Sequence, residues 1–396
     1  MNTEKKFFHS NTAIVTLFAA CFVVLISLGV RQTFGLFFID FNESLNISNT
    51  AFGFAIGTQM LMWGLTGPIF GAIADRFGGH VAIISSFLFY TLGVYFLYSG
   101  PNTGIFFQIH LGLLIGIGLG GTAISIPMSI VGKHFPLSNR TIAMSIVTAV
   151  GSFGYFISPI FTNYSLIEYG WNYTLFLFSL FLVTGLIAAY FVRSPKENEI
   201  VENRSDQSFK EALSEAFKSK SYILLVSGFF VCGFHITLVG THVPKYVIDR
   251  GLEDWTAAAI LSLIGLFNIF GSLLSGYLST KISKKVLLSA IYLLRGFSIA
   301  FFIFTPPSVL SAFIFGASFG FLWLSTVPAT SGIVAHLFGT KYLGLLYGIV
   351  FLSHQIGSFF GAYLGGLFHD LYGSYDYAWY LACLLYTSDA ADERLG

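Results

Sequence analysis

Long apolar runs, each closed by a few polar residues or by glycine and proline, repeat along almost the whole chain. A helix that crosses the hydrocarbon core of a bilayer needs about 20 mostly apolar residues in sequence. Eleven runs approach or exceed that length: 12–38, 51–74, 81–99, 103–131, 141–164, 173–192, 222–246, 256–280, 286–304, 309–337 and 342–368. A twelfth begins near Tyr377. Gly100-Pro101-Asn102 and Pro306-Pro307 are turn signals, so consecutive helices are expected to run antiparallel. The pattern predicts an all-α membrane protein of twelve spans.

Both ends of the pattern are irregular. Lys5 and Lys6 precede the first run as in a signal peptide, and Phe18-Ala19-Ala20-Cys21 approaches a lipoprotein cleavage box. The run continues to Phe38, well past the about 7–15 residues of a signal h-region, so it reads as a retained first span. At the other end, 376–386 is followed by Thr387-Ser388-Asp389-Ala390-Ala391-Asp392-Glu393-Arg394. About eleven residues cannot cross a bilayer. Residues 384–394 also resemble a translated sequencing adaptor. The last helix is therefore expected to be truncated, with 387–396 a non-native C-terminal scar and further apolar residues in the natural protein.

Composition supports lipid as the solvent. Hydrophobic residues make up 55% of the chain and charged residues 10%, against about 25% charged in a soluble domain. A net charge of +1 gives no basic field for nucleic acid. Cys21, Cys232 and Cys383 sit far apart in apolar runs and read as reduced, buried thiols, with no metal-ligand spacing. No metal and no cofactor are expected. Loop charge sets the orientation. With the N-terminus in the cytoplasm, fifteen Lys and Arg residues lie inside, including Lys5, Lys6, Lys196, Arg204 and Lys341, and only Lys245 and Arg250 lie outside. That bias predicts a multi-pass inner-membrane protein with a cytoplasmic N-terminus. The longest polar stretch, 193–221, contains Pro195 and an amphipathic piece at 209–217. It is read as a cytoplasmic linker between six-helix bundles at 1–192 and 222–386.

The two halves echo one another. Gly71-Ala-Ile-Ala-Asp75-Arg76-Phe-Gly78 closes span two, and Gly276-Tyr-Leu-Ser-Thr280-Lys281-Ile-Ser283 closes span eight, 205 residues later. Gly151-Ser152-Phe153 in span five matches Gly357-Ser358-Phe359 in span eleven at an offset of 206. Pro127 in span four matches Pro328 in span ten at 201. Near-constant offsets mark parallel repeats. Twelve spans, a central loop and Gly71-x-x-x-Asp75-Arg76-x-Gly78 resemble the major facilitator superfamily. That resemblance implies two pseudo-symmetric six-helix bundles, with spans one, four, seven and ten around a cavity. Gly29-Val-Arg31-Gln32-Thr-Phe34-Gly35, Gly233-Phe234-His235 with His242-Val-Pro244, and His354-Gln355-x-Gly357 resemble its bacterial monocarboxylate and oxalate–formate (organic anion) branch. Two positions depart from the pattern. Gly112 stands where the span-four motif often carries Arg, and span eight offers Asn268 where these carriers typically place a cation.

Arg31 lies about seven residues, or roughly 10 Å, inside one end of span one. An Arg within the membrane costs about 2.5–3.5 kcal/mol on insertion scales, and no Asp or Glu lies inside the predicted spans. Its fork suits a carboxylate, so the absent anion is read as substrate. Snorkelling or bonding to helix carbonyls is the alternative. Arg295, in span nine, is a second embedded cation, read as substrate contact or structural support. His110, His235, His242 and His354 are side chains within the spans of the type that normally titrates near neutral pH, hence the candidates for proton coupling. His235, His354, Gln355 and Asn268 join Arg31 and Arg295 as candidate substrate contacts; helix–helix hydrogen bonding is the competing role for each. By resemblance, Gly71, Asp75, Arg76 and Gly78 form a gating loop, with Asp75 facing the N-terminus of span eleven. Pro127, Pro159 and Pro328 are expected to kink their helices.

Without a phosphate-binding Gly-x-x-x-x-Gly-Lys loop, energy would come from gradients. The expected function is secondary transport of a small organic anion by a monomer using alternating access, proton-coupled or by exchange. A drug exporter of the same fold and a non-transporting membrane sensor are the alternatives. An enzyme is not expected, since the histidines stand at no metal-ligand spacing.

Overall fold

The computed structural model describes residues 11–194, 209–339 and 342–392, and every element among them is helical. Lys5, Lys6, Lys196, Arg204 and Lys341 lie outside the described residues, as do 195–208 of the 193–221 linker and 393–396. The chain forms two compact units, Met1–Glu197 and Asn198–Gly396. Helices are the form these runs must take, because lipid offers no partner for a free backbone N–H or C=O.

In the first unit, span one is Asn11–Gln32, and it continues through the 3-10 turn Phe34–Phe37 into Phe38–Leu45. It ends seven residues beyond the predicted Phe38, where Asn46 takes a left-handed φ of 55°. Ser48 caps span two, Asn49–Phe77, by accepting from Ala51 N. Gly78, at φ 95°, then turns the chain directly into span three, Gly79–Ser99. Spans five and six form one stretch, Leu137–Ala189, interrupted at Gly170 with φ 76°. Only glycine adopts that conformation readily, so Gly170 is the turn between the two predicted runs. Pro159 lies inside the helix, and the residue with non-helical backbone in that stretch is Gly170.

The second unit opens with the short helix Phe209–Lys218, followed by spans seven, Lys220–Asp249, eight, Asp254–Leu278, and nine, Lys284–Phe304. Span eleven is Leu343–Tyr372. The twelfth helix runs Asp376–Asp392, past the predicted Tyr386. Its 17 residues still fall short of a crossing of about 20. Among the described residues, nine helical stretches are long and apolar enough to cross a membrane, and one of these holds spans five and six. Span two is not among the nine; Gln59, Trp63, Pro68 and its glycines dilute it.

Spans four and ten share one irregularity. Span four comprises a π-helical segment at Gln108–Leu114, then Ile115–Thr122, a break at Ala123 and Ile124, and Ser125–His134. Span ten comprises Val309–Leu322, a break, and Thr326–Phe338. The breaks lie ahead of Pro127 and Pro328 rather than at them. A proline ring collides with the carbonyl four residues earlier and offers it no N–H. Those carbonyls belong to Ala123 and Leu324, so each helix stops there and restarts with the proline in its first turn.

Glycines set how closely the helices approach. A Cβ on Gly112 or Gly116 would press on Ala55 O or Gln59 O of span two, and one on Gly154 would meet Leu25 O of span one. In the second unit, a Cβ on Gly357 or Gly361 would run into Phe230 O or Phe234 O of span seven. Spans one with five and seven with eleven thus pack backbone to backbone, and spans two with four and eight with ten pair likewise in their own units. The repeat read from the glycines is a repeat of packing.

Candidate functional site

Arg31 is half-buried on span one, ahead of the 3-10 turn. Its Nη2 donates to Met60 Sδ at 3.1 Å and its Nη1 to Gln32 Oε1 at 3.4 Å. The guanidinium stands 5.9 Å from the Trp63 ring centroid, a cation–π distance, and hydrogen-bonds the Tyr155 hydroxyl of span five. A thioether is a weak acceptor and a 3.4 Å bond is long. Arg31 Nε and Gln32 Nε2 are buried and meet no protein acceptor. None of the ion pairs among the described residues includes Arg31. The result is a guanidinium with neutral walls and spare donors, the arrangement that would grip a carboxylate bidentately.

Other polar groups of the first unit are spent on packing. Gln59 Nε2 donates to Leu111 O at 3.0 Å and Gln108 Nε2 to Ala51 O at 2.9 Å, which staples span two to the π-helical segment. His110 is buried with Nδ1 3.2 Å from Asn102 Oδ1, between the rings of Phe96 and Phe106. Of the gating residues, Asp75 pairs with Lys133 of span four at 2.9 Å, a partner that sequence reading missed. Side-chain exposures of 72% and 41% make that pair weak. Arg76 lies over Phe77, and a Cβ on Gly71 would meet nothing within 4 Å.

In the second unit the structure gathers several predicted residues around span seven. Arg295 is fully buried, with Nη1 donating to Cys232 Sγ at 3.1 Å. His354 lies beside the same thiol. Its Nδ1 stands 3.1 Å from Gln355 Oε1 and 3.4 Å from Ser358 Oγ, and its ring stacks on Phe351 with a second contact to Phe229. Gln355 is fully buried, and its Nε2 meets no protein acceptor. Asn268 is also fully buried, against the break of span ten.

His235 and His242 share span seven but are tied to different helices. His235 Nε2 is 2.9 Å from Ala382 O of the twelfth helix, and His242 Nε2 is 2.7 Å from Ala362 O of span eleven. A carbonyl only accepts, so each Nε2 carries the proton and each neutral ring keeps Nδ1 as its basic atom. A groove of about 620 Å³ between spans eight, nine and ten is lined by Phe267, Phe297, Phe301 and Phe321 with no charged group, and touches none of these residues.

Sequence reading missed Cys232 as an acceptor for Arg295, and Met60, Trp63 and Tyr155 as the walls around Arg31. Those residues come from other helices, and no spacing rule connects them to Arg31.

The sequence model described as Major Facilitator Superfamily matches residues 20–327. An uncharacterized MFS-type transporter of Bacillus subtilis, YcxA, is 23% identical over 376 residues, which cover 90% of this chain and 89% of that protein. Monocarboxylate transporter 13 of Rattus norvegicus is 24% identical over 376 residues, covering 91% and 83%. The crystal structure of the E. coli fucose:proton symporter superposes with a TM-score of 0.64 at 15% identity, covering 97% of this chain and 99% of that one. At that identity the likeness concerns the fold.

Proposed function

The chain belongs to the Major Facilitator Superfamily, and from that premise we propose that it carries a small, monocarboxylate-like organic anion by alternating access. It is a multi-pass membrane transporter and not an enzyme. The observation that carries the anion reading is Arg31, a cation within span one whose neighbours are a thioether, an amide and aromatic rings. A cation that crosses into lipid without a fixed counter-charge is costly unless a mobile anion serves it. Similarity to a transporter named for monocarboxylates supports the same substrate class.

In this reading Arg31 binds the carboxylate, and His354 with Gln355 supplies polar contacts in the second unit. His235 and His354 are the first candidates for a coupled proton; His110 and His242 rank behind them. Gly71, Asp75, Arg76 and Gly78 act in gating. The positive-inside bias places the N-terminus and the 193–221 linker in the cytoplasm, in an inner membrane, and the carrier works as a monomer.

A thermal-shift screen of the purified full chain against mono- and dicarboxylates tests the reading, with Arg31→Gln as control. A carboxylate is expected to stabilise the wild type and to lose that effect in the variant. A panel without effect, or a shift that survives Arg31→Gln, removes the anion site.

A further inference from the structure

Every backbone group freed by the break in span ten between Leu322 and Thr326 deserves a partner, because a bare one in an apolar bundle is costly. Arg295 Nη2 donates to both Leu322 O, at 2.5 Å, and Trp323 O, at 3.1 Å. Asn268 Oδ1 accepts from Leu324 N at 3.0 Å. Ser275 Oγ donates to Ser325 O at 2.5 Å. Leu324 O, deprived of its usual donor by Pro328, takes Val327 N at 3.1 Å in a tighter turn. One residue of span nine and two of span eight thus do what the helix's own ladder would otherwise do. Gly271 lets span eight come this close, since a Cβ there would strike Phe321 O.

The first unit differs near its own break at Ala123 and Ile124. The repeat offset of 205 puts Tyr90 opposite Arg295. Tyr90 is spent elsewhere, donating to Ser27 O at 3.0 Å. Side-chain bonds beside that break come from neutral hydroxyls and fall within the helix Ile115–Thr122: Ser86 Oγ donates to Gly118 O at 2.6 Å and accepts from Gly121 N at 2.9 Å, and Thr122 Oγ1 donates to Gly118 O at 2.8 Å. Among the described residues, it is the break in the second unit that meets a charged fork, which can hold two carbonyls at once.

We propose that Arg295 and Asn268 are positioning residues that hold span ten broken ahead of Pro328, rather than contacts for the transported molecule. Arg295 is fixed further by Cys232 and by the rings of Tyr292 and Phe319 at 5.7 and 5.8 Å. Its charge lies against carbonyl dipoles, which explains an embedded cation in span nine without a substrate. The inference does not depend on which molecule is carried, so failure of the carboxylate reading leaves it intact.

Hydrogen–deuterium exchange on the purified full chain tests it, through a cycle of Arg295→Met and Pro328→Ala. Arg295→Met is expected to speed exchange across 322–327 by about tenfold, the factor that one charge-assisted hydrogen bond is worth. In the Pro328→Ala background the helix can pair Leu322 O and Trp323 O with its own N–H groups, so the same substitution should change little. An equal rise in both backgrounds, or none in either, overturns the proposal. If Arg295→Met fails to fold alone, Asn268→Ala enters the same cycle and must show the same rescue.

Discussion

Replacing Arg31 by Gln and by Lys separates a substrate-binding cation from a structural one. The bonds Arg31 makes within the protein are few and uncharged: a thioether at 3.1 Å, an amide at 3.4 Å, the Tyr155 hydroxyl, and a ring at 5.9 Å. Losing them should lower stability by about 1 kcal/mol or less. A bound carboxylate would take two charge-assisted hydrogen bonds of about 1.5–3 kcal/mol each. Arg31→Gln removes both, about 3–6 kcal/mol, which at 1.4 kcal/mol per decade weakens binding by roughly a hundredfold or more. Arg31→Lys keeps a point charge but loses the fork, and an intermediate loss near tenfold follows. The assays are uptake and counterflow of radiolabelled monocarboxylates in proteoliposomes, read beside the thermal midpoint of each variant. Affinity should collapse while stability holds. Equal affinity in all three proteins refutes the reasoning. A Gln variant that loses several kcal/mol of stability refutes it too, because Arg31 would then be a structural cation.

Three further outcomes are expected. Gly361→Leu should block assembly of spans seven and eleven, because the new side chain meets Phe234 O; loss of folded, monodisperse protein on size-exclusion chromatography checks this, and normal yield would deny the close packing. Asp75→Asn breaks an exposed pair worth about 0–1 kcal/mol. The thermal midpoint should therefore barely move, and a change in cysteine accessibility on the two sides of the membrane would report a gating role; unchanged accessibility argues against one. If transport is proton-coupled through His235 or His354, the dependence of uptake on pH should flatten in His235→Gln or His354→Gln. A wild-type rate that is already flat removes the proton role.

The fold is legible along the chain by counting. Run length, loop charge and the near-constant offsets of Gly71, Gly151 and Pro127 to their second-half partners carry most of the architecture, since each depends only on neighbours along the chain. Some boundaries moved. Nothing in the run itself marks Leu45 rather than Phe38 as the end of span one, because the chain stays helical until Asn46 can adopt its left-handed turn. Pro127 and Pro328 were legible as irregular points, yet the breaks fall at the carbonyls that the prolines obstruct.

The functional groups were legible only as residue types. An embedded Arg is visible in any sequence, and Arg31 and Arg295 look alike there. Tertiary structure separates them: Arg295 is fully buried with carbonyls and a thiol in reach, whereas Arg31 is half-buried with donors to spare. The histidines divide the same way, His235 and His242 held by backbone carbonyls of other helices and His354 by side chains of its own. What the sequence determined by itself was solvent, span number and repeat, because hydrophobicity and period are local. Which cation stays free for a ligand is decided by contacts between residues far apart in the chain, and those exist only once the helices have packed.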